Sequence, residues 1–430
     1  MTETSENKKE SIIQEGEKYI KKLGPGIITG ASDDDPSGIT TYSQAGAQYG
    51  INLVWLAVWT YPLVATVQEM CARIALVTGR GLASNIKKHF SRKTLYVVTT
   101  LLFIANTLNI GADLGAMAKA IELIYPKMSF TFLVIAIGLL GLAIEIIIPY
   151  KKYTKYLKWL VFAVFAYILA GLIIDMDWTM LLRDGFIPHI TFSKNQILLI
   201  TGILGTTISP YLFFWQTSQE VEEEISEGKK TIHERMGTNS EELKEMRIDV
   251  WLGMFLSNLV MFFIIAVCAN TLFINGITNI NTAADAASAL RPLAGNFATI
   301  LFAIGIIGTG LLAIPVLAGS ASYAISESFG WKEGLYRKYK SAHAFYGIIA
   351  LSIIVGILIN FIGIDPIKAL IYSAIVNGII APIILVFIVK ISSNHKIMGE
   401  FKNKPLTKTI GWIATILMGI TAIASIISLF

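Results

Sequence analysis

Three carboxylates followed by a proline, Asp33-Asp34-Asp35-Pro36-Ser37-Gly38, lie in the middle of the first long apolar segment of this chain. No ordinary helix carries such a run through a low-dielectric core. Even on the lenient insertion scale an ionisable group at bilayer depth costs about 2.5–3.5 kcal/mol, so three in succession mark a functional site. Pro36 adds a backbone constraint, because it removes an N–H donor and breaks the helix. Broken backbone survives at membrane depth only where protein packs around it or where it lines a watery cavity. The guest that a carboxylate-lined break favours is a cation.

Composition supplies the bilayer. The 430 residues are 54% hydrophobic and 15% charged, with a mean hydropathy of +0.62, whereas soluble domains carry about 25% charged residues. An all-α, polytopic integral membrane protein is expected. A window of about 20 residues, the length that crosses the hydrocarbon core, gives eleven spans at 24–48, 52–78, 95–124, 129–148, 154–175, 195–222, 247–273, 296–325, 341–363, 366–391 and 407–429. Basic clusters at 80–94, 151–158, 332–340 and 391–408 all fall on one side when eleven spans alternate. The positive-inside rule makes that side the cytoplasm, with the N-terminus inside and the C-terminus outside a plasma membrane. The loop 223–246 falls inside too, but its Lys229, Lys230 and Arg235 are mixed with acids and decide nothing.

Several function classes drop out. The net charge of +5 is spread over loops and reads as topology rather than nucleic-acid binding. The polar first 20 or so residues hold no short apolar core with a small-residue cleavage site, so no removable signal peptide is expected. Cys71 and Cys268 sit inside apolar segments and read as small buried hydrophobes. The histidines at 89, 189, 233, 343 and 395 have no paired helical spacing, which argues against zinc. No Walker sequence, nucleophile elbow or dinucleotide turn occurs, so neither an enzyme nor a bound cofactor is expected. The acidic run Glu220, Glu222, Glu223 and Glu224 reads either as a lure for cations at the exit or as a solvated helix end.

The sixth span is interrupted like the first, at Gly205-Thr206-Thr207-Ile208-Ser209-Pro210-Tyr211. Paired Gly/Pro interruptions at corresponding positions of two halves point to a midplane site in an inverted-repeat transporter. The implied organisation is a cytoplasmic segment 1–23, a first repeat 24–175, a second repeat 195–391 and a closing helix 407–429.

The residues also carry a family resemblance. Gly24-Pro25-Gly26 through Asp35-Pro36-Ser37-Gly38 resembles the opening of the Nramp divalent-metal transporters, whose signature here is Asp-Pro-Gly-Asn. Gln68 to Arg73 followed by Val77-Thr78-Gly79-Arg80 is similar to that family's second-helix segment. Asp113-Leu114, Asn258 and Leu317-Ala318-Gly319 fall where the family has comparable residues. The resemblance covers nearly the whole chain. It implies a LeuT-type fold of the APC superfamily, with eleven transmembrane helices, two inverted five-helix repeats, and metal bound between broken helices 1 and 6.

Departures from the family pattern sharpen the reading. Met-Pro-His of helix 6 reads Ser209-Pro210-Tyr211, and the next family His position is Gln216; the Asn of the first signature is Gly38. The acid three residues after the third-helix Asp is Ala116, and the tenth-helix Gln is Ala374, with Asn377 one turn on. Sulfur biases a site toward soft transition metals, and oxygen toward Mg²⁺, Ca²⁺ and Mn²⁺. The pattern resembles the Nramp-related magnesium transporters, which hold a hydrated ion in a wider site.

Asp35 is expected as the leading ligand, with Ser209 offering a hydroxyl and Thr206 a freed carbonyl; Ser37 and Gly38 act mainly by shape. Asp34 joins the site or its access route, and Asp33, Tyr211 and Asn377 lie beyond direct contact. Asp33 and Asp34 could instead form a packed polar pair with Arg73 or another helix, since successive helical residues point about 100° apart. Asp113, Lys119 and Glu122 on the third span are candidates for a second pathway or, on the plainer reading, for a structural charge network; Asp113 and Lys119, six apart, are not natural intrahelical partners and could pair with Arg73 or Glu69. The leading expectation is uptake of Mg²⁺ and Mn²⁺ without strong proton coupling, in lipid and without an obligate protein partner. A proton-coupled Mn²⁺/Fe²⁺ symporter, a sodium-coupled amino-acid transporter on the same fold and a metal sensor are the alternatives.

Overall fold

Residues 24–148 and 165–429 are described by a computed structural model. The 1–23 segment, the basic loop at 151–158 and the first part of the 154–175 span lie outside the described residues.

The first apolar segment folds as two half-helices, α1 (Pro25–Asp33) and α2 (Pro36–Tyr49), on either side of Asp34 and Asp35. A 3-10 turn and a 105° bend lead into α3 (Trp55–Thr78). Next come α4 (Leu82–His89), α5 (Arg92–Ile124), α6 (Phe130–Ile147), α7 (Ala166–Ile173) and α8 (Trp178–Phe186). The second interrupted segment is α9 (Lys194–Thr207) and α10 (Pro210–Ser226). The helices α11 (Ser240–Cys268), α12 (Ala298–Phe329), α13 (His343–Ile359), α14 (Pro366–Ser392) and α15 (Pro405–Leu429) complete the bundle.

Seven helical stretches among the described residues are long and apolar enough to cross a membrane, with Lys194–Ser226 counted as one. Length and composition alone therefore do not reach the eleven spans read from the sequence. The 17 residues of α13 are short for a crossing, α1 and α2 are halves divided by carboxylates, and part of the fifth span is outside the described residues. The outer surface is that of a bilayer protein. On α15, Ile416, Ile420, Ile423 and Ile427 recur on one helical face and are all exposed, an arrangement suited to lipid rather than water.

The broken helices sit at the centre, held by close backbone contact. Gly30 of α1 faces the backbone of Gly253 on α11, where a β-carbon would overlap the Gly253 carbonyl. Gly205 of α9 meets the Ala374 carbonyl and Gly378 of α14 in the same way. Small residues allow such approaches in membrane bundles. At its N-terminus α1 is tied to α11 by Asp249, whose carboxylate accepts the Gly24 N–H at 3.0 Å and the Gly26 N–H at 2.6 Å. Tyr42, Tyr211, Phe213, Phe214 and Trp215, all fully buried, fill the space around the breaks.

Candidate functional site

Local chemistry dictates the first break. An Asp before a Pro is a strong helix start, because the carboxylate caps free N–H groups and Pro fits the first turn. Asp35 is that cap: its Oδ1 accepts the Gly38 N–H at 2.6 Å. The three carboxylates therefore occupy the end of α1, the link and the cap of α2, rather than three successive positions of one helix. Asp33 Oδ2 and Asp34 Oδ1 accept the Ser257 hydroxyl of α11, at 2.6 and 3.3 Å. They turn toward α11 and do not pair with Arg73. All three are buried.

Proline leaves a second mark at each break. Lacking an N–H, Pro36 deprives the Ser32 carbonyl, and Pro210 the Thr206 carbonyl, of the usual i→i−4 bond. Tyr211 repairs the first deficit, its hydroxyl donating to Ser32 O at 2.9 Å. The Thr206 carbonyl receives no hydrogen bond among the described residues. A β-carbon on Gly38 would lie 3.2 Å from Thr206 Oγ1 and 3.4 Å from Asp35 Oδ1, so glycine keeps this gap open.

Other expected site residues take the following places. Ser209 donates its hydroxyl to Gly205 O at 2.6 Å, back across the break onto α9. Ser37 faces α14, bonding Leu370 O at 2.9 Å and Ser373 Oγ at 3.3 Å. Asn377 of α14 donates to Asn109 Oδ1 at 3.3 Å. Asn109, which sequence reasoning passed over, is central: its Nδ2 donates to Asp35 Oδ2 at 2.8 Å and to Asp113 Oδ2 at 3.1 Å. The signal was its position one helical turn before Asp113, on the same face of α5.

The expected partners of the α5 charges need correcting. Lys119 bonds Glu122 at 2.8 Å, one turn away, and Asp113 bonds Asn109. Neither reaches α3, where Glu69 pairs with Arg73 at 3.5 Å and with Arg247 at 2.9 Å, and Arg73 also bonds Asn403. The acidic end of α10 is not a solvated run. Glu220 accepts the Gln216 amide at 2.8 Å, and Glu222 accepts the Tyr323 hydroxyl at 2.5 Å and the Leu335 N–H at 2.8 Å. In the loop after α12, burial, with Glu327 and Glu222 nearby, pushes the Glu333 carboxyl up to about 9.

Known proteins share this architecture. The "Divalent metal cation transporter MntH" of Caldanaerobacter subterraneus subsp. tengcongensis is 26% identical over 403 residues, covering 92% of this chain and 90% of that protein. The protein of the same name from Klebsiella pneumoniae subsp. pneumoniae is 24% identical over 399 residues, covering 91% and 90%. The crystal structure of the Eremococcus coleocola manganese transporter superposes with a TM-score of 0.71 at 17% identity, over 94% of this chain and 85% of that one. MhsT in complex with L-phenylalanine, at 13% identity, covers 95% and 98% with a TM-score of 0.59. These likenesses establish the all-helical LeuT-type transporter fold. The family model described as "Natural resistance-associated macrophage protein-like" matches residues 26–428, and a chain matched over that length belongs to the Nramp family of multi-pass membrane transporters.

Proposed function

We propose that this protein carries divalent metal cations across the plasma membrane, holding them at a hard, partly hydrated site with Mg²⁺ and Mn²⁺ as the ions taken up. The observation that carries this reading is the donor set between the two breaks. It consists of the Asp35 carboxylate and the Thr206 hydroxyl, which meet beside Gly38, the Thr206 carbonyl left without its N–H by Pro210, and the hydroxyl of Ser209. Positions 209 and 211 are Ser and Tyr, so neither sulfur nor imidazole enters there. Oxygen donors favour Mg²⁺ and Mn²⁺ over softer metals. Few protein ligands suit an ion that gives up water reluctantly, as Mg²⁺ does. The names of the relatives, divalent metal cation transporter and manganese transporter, support the cation class.

In this reading Asp35, Thr206 and Ser209 meet the ion, Gly38 leaves it room, and Ser37 braces the break against α14. Asp34, Asp33, Tyr211 and Asn377 stand around the site or along its access. The breaks head two repeats, 24–175 and 195–391, with the N-terminus in the cytoplasm and the C-terminus outside. The membrane potential drives uptake: two charges moving inward down 100 mV release about 4.6 kcal/mol, enough to concentrate a divalent ion without protons.

The test is uptake of Mg²⁺ and Mn²⁺ into proteoliposomes, with Ca²⁺ as competitor and a pH-sensitive dye inside. Flux of both ions without acidification is expected. Mn²⁺-driven acidification with no Mg²⁺ flux would replace the proposal with a proton-coupled symporter. Sodium-driven uptake of an amino acid without metal flux would replace it with an organic-solute carrier.

A further inference from the structure

The strongest feature outside the donor set above is a buried triad of polar side chains on α5 and α14. Asn109 Nδ2 donates to Asp35 Oδ2 at 2.8 Å and to Asp113 Oδ2 at 3.1 Å, while Asn377 Nδ2 donates to Asn109 Oδ1 at 3.3 Å. All four side chains are buried. One nitrogen that bonds both carboxylates keeps their oxygens no more than about 6 Å apart. Two further oxygens in the same cluster, Asp113 Oδ1 and Asn377 Oδ1, are buried and have no hydrogen-bond partner among the described residues. Buried acceptors ordinarily find a partner, so two orphans beside a carboxylate pair indicate a missing electropositive ligand.

We propose that Asp113 is a second carboxylate of the cation site and that Asn109 and Asn377 set the site's selectivity for divalent ions. The inference rests on the reading of this chain as a cation transporter. Charge and span both favour a divalent guest. The pair of carboxylates that Asn109 joins matches a 2+ ion, whereas a monovalent ion leaves one charge of that pair uncompensated, and Asp33 and Asp34, buried nearby on Ser257, do not relieve it. A Mg²⁺ ion binds oxygen at about 2.0–2.1 Å. With one carboxylate bound directly and the other through a coordinated water, the ion fits a separation of about 5 Å, within the limit that Asn109 imposes.

Asn109 is a positioning residue in this scheme. Its amide joins the carboxylates by donating two hydrogens, and an ion between them takes over that bond. The amide is then free to turn its oxygen toward the ion or one of its waters. Asn377, one link further out, holds the amide with its nitrogen toward the carboxylates until the ion takes over, and its own Oδ1 is available to a coordinated water.

The experiment compares purified, reconstituted Asp113→Asn, Asn109→Ala, Asn109→Asp and Asp35→Asn proteins, each checked for a monodisperse peak before reconstitution. Mg²⁺ and Mn²⁺ uptake is measured over a range of concentrations with internal pH recorded. Asp113→Asn is expected to raise KM for both ions about tenfold or more, the scale on which loss of a metal-orienting group acts. Asn109→Ala should raise KM while leaving the maximal rate nearly unchanged. Asn109→Asp adds a third carboxylate, so it should lower both KM and the maximal rate as the ion is held longer; a merely structural residue would not produce that split. An unchanged KM in Asp113→Asn, alongside lost uptake in Asp35→Asn, overturns the second carboxylate and leaves the transporter reading intact. A change confined to proton movement in Asp113→Asn overturns it as well. Unchanged uptake in both variants removes the transporter site itself.

Discussion

The two broken helices carry the same sequence signal and use it differently. At each, a proline opens the second half-helix and strips the carbonyl four residues back of its N–H partner. In the first break the loss is repaired, because Tyr211 donates to Ser32 O at 2.9 Å. The repair comes from the other break, since Tyr211 is the second residue of α10. The Thr206 carbonyl of the second break has no such donor among the described residues. The caps differ too: Asp35 caps α2 through its carboxylate, while Ser209 turns its hydroxyl back to Gly205 O and caps nothing. The first break thus brings fixed charge beside a carbonyl whose lost partner has been replaced, and the second brings a carbonyl left without one and little side-chain chemistry. A cation needs both, a charge for affinity and a neutral dipole that is released easily.

The largest expected effect removes that fixed charge. Asp35→Ala should lower Mn²⁺ uptake by at least about 100-fold, exceeding the 10–100-fold range typical of groups that only orient a metal ligand. The alanine also deletes a helix cap worth about 1 kcal/mol, so Asp35→Asn separates the two roles. Asn caps helices about as well as Asp. Uptake should therefore stay lost while the thermal midpoint returns toward that of the parent. Substantial uptake by a well-folded Asp35→Asn protein would place the charge elsewhere and cancel the contrast between the breaks.

The prolines offer a direct comparison. Pro210→Ala restores an N–H within reach of the Thr206 carbonyl, letting α9 run on into α10 and withdrawing that oxygen from the ion. Uptake should fall by about tenfold, while thermal stability should stay near that of the parent, because Pro210 stands in the first turn of α10, where proline is well tolerated. Pro36→Ala meets a carbonyl that Tyr211 already satisfies and a cap that Asp35 already supplies, so it should change uptake much less. Equal losses from the two substitutions, read in one liposome assay, would erase the asymmetry.

A smaller effect tests the brace between the breaks. Tyr211→Phe keeps the ring and leaves Ser32 O buried without a donor, at a cost of about 1–3 kcal/mol. The thermal midpoint in detergent should drop while KM for Mn²⁺ holds. A KM shift at unchanged stability would instead move Tyr211 from the scaffold to the ion's surroundings.

Both breaks were legible in the sequence because proline and capping act locally. Asp-Pro specified the start of α2, and Ser-Pro that of α10, almost to the residue. What each side chain then touches was not legible. A helix interrupted by two residues loses the 100° phase that lets neighbours be assigned to faces, so the turn of Ser37 toward Leu370 and of Asp33 toward Ser257 depended on where α14 and α11 pack. Asn109 is a different case. Its helix is unbroken, and a polar residue four before Asp113 shares its face, yet the charges at Asp113 and Lys119 point a reading of α5 toward ion pairs. Helical phase was the better guide than charge.

The smallest expected effect concerns the quality of the ion rather than the rate. Ser209→Met introduces a thioether at the start of α10 and removes the hydroxyl that occupies Gly205 O. Soft sulfur favours Cd²⁺ over Mg²⁺, so Cd²⁺ should inhibit Mn²⁺ uptake at lower concentrations than in the parent. Mg²⁺ uptake should decline, because the longer side chain displaces water that Mg²⁺ keeps in its coordination sphere. The freed Gly205 carbonyl is a hard oxygen and works against the thioether, which keeps the shift to a few-fold. Unchanged Cd²⁺ inhibition would mean that position 209 faces back onto α9 with methionine as it does with serine. The second break would then serve the ion through Thr206 alone, with neutral oxygens only, and the contrast with the carboxylate of the first break would be complete.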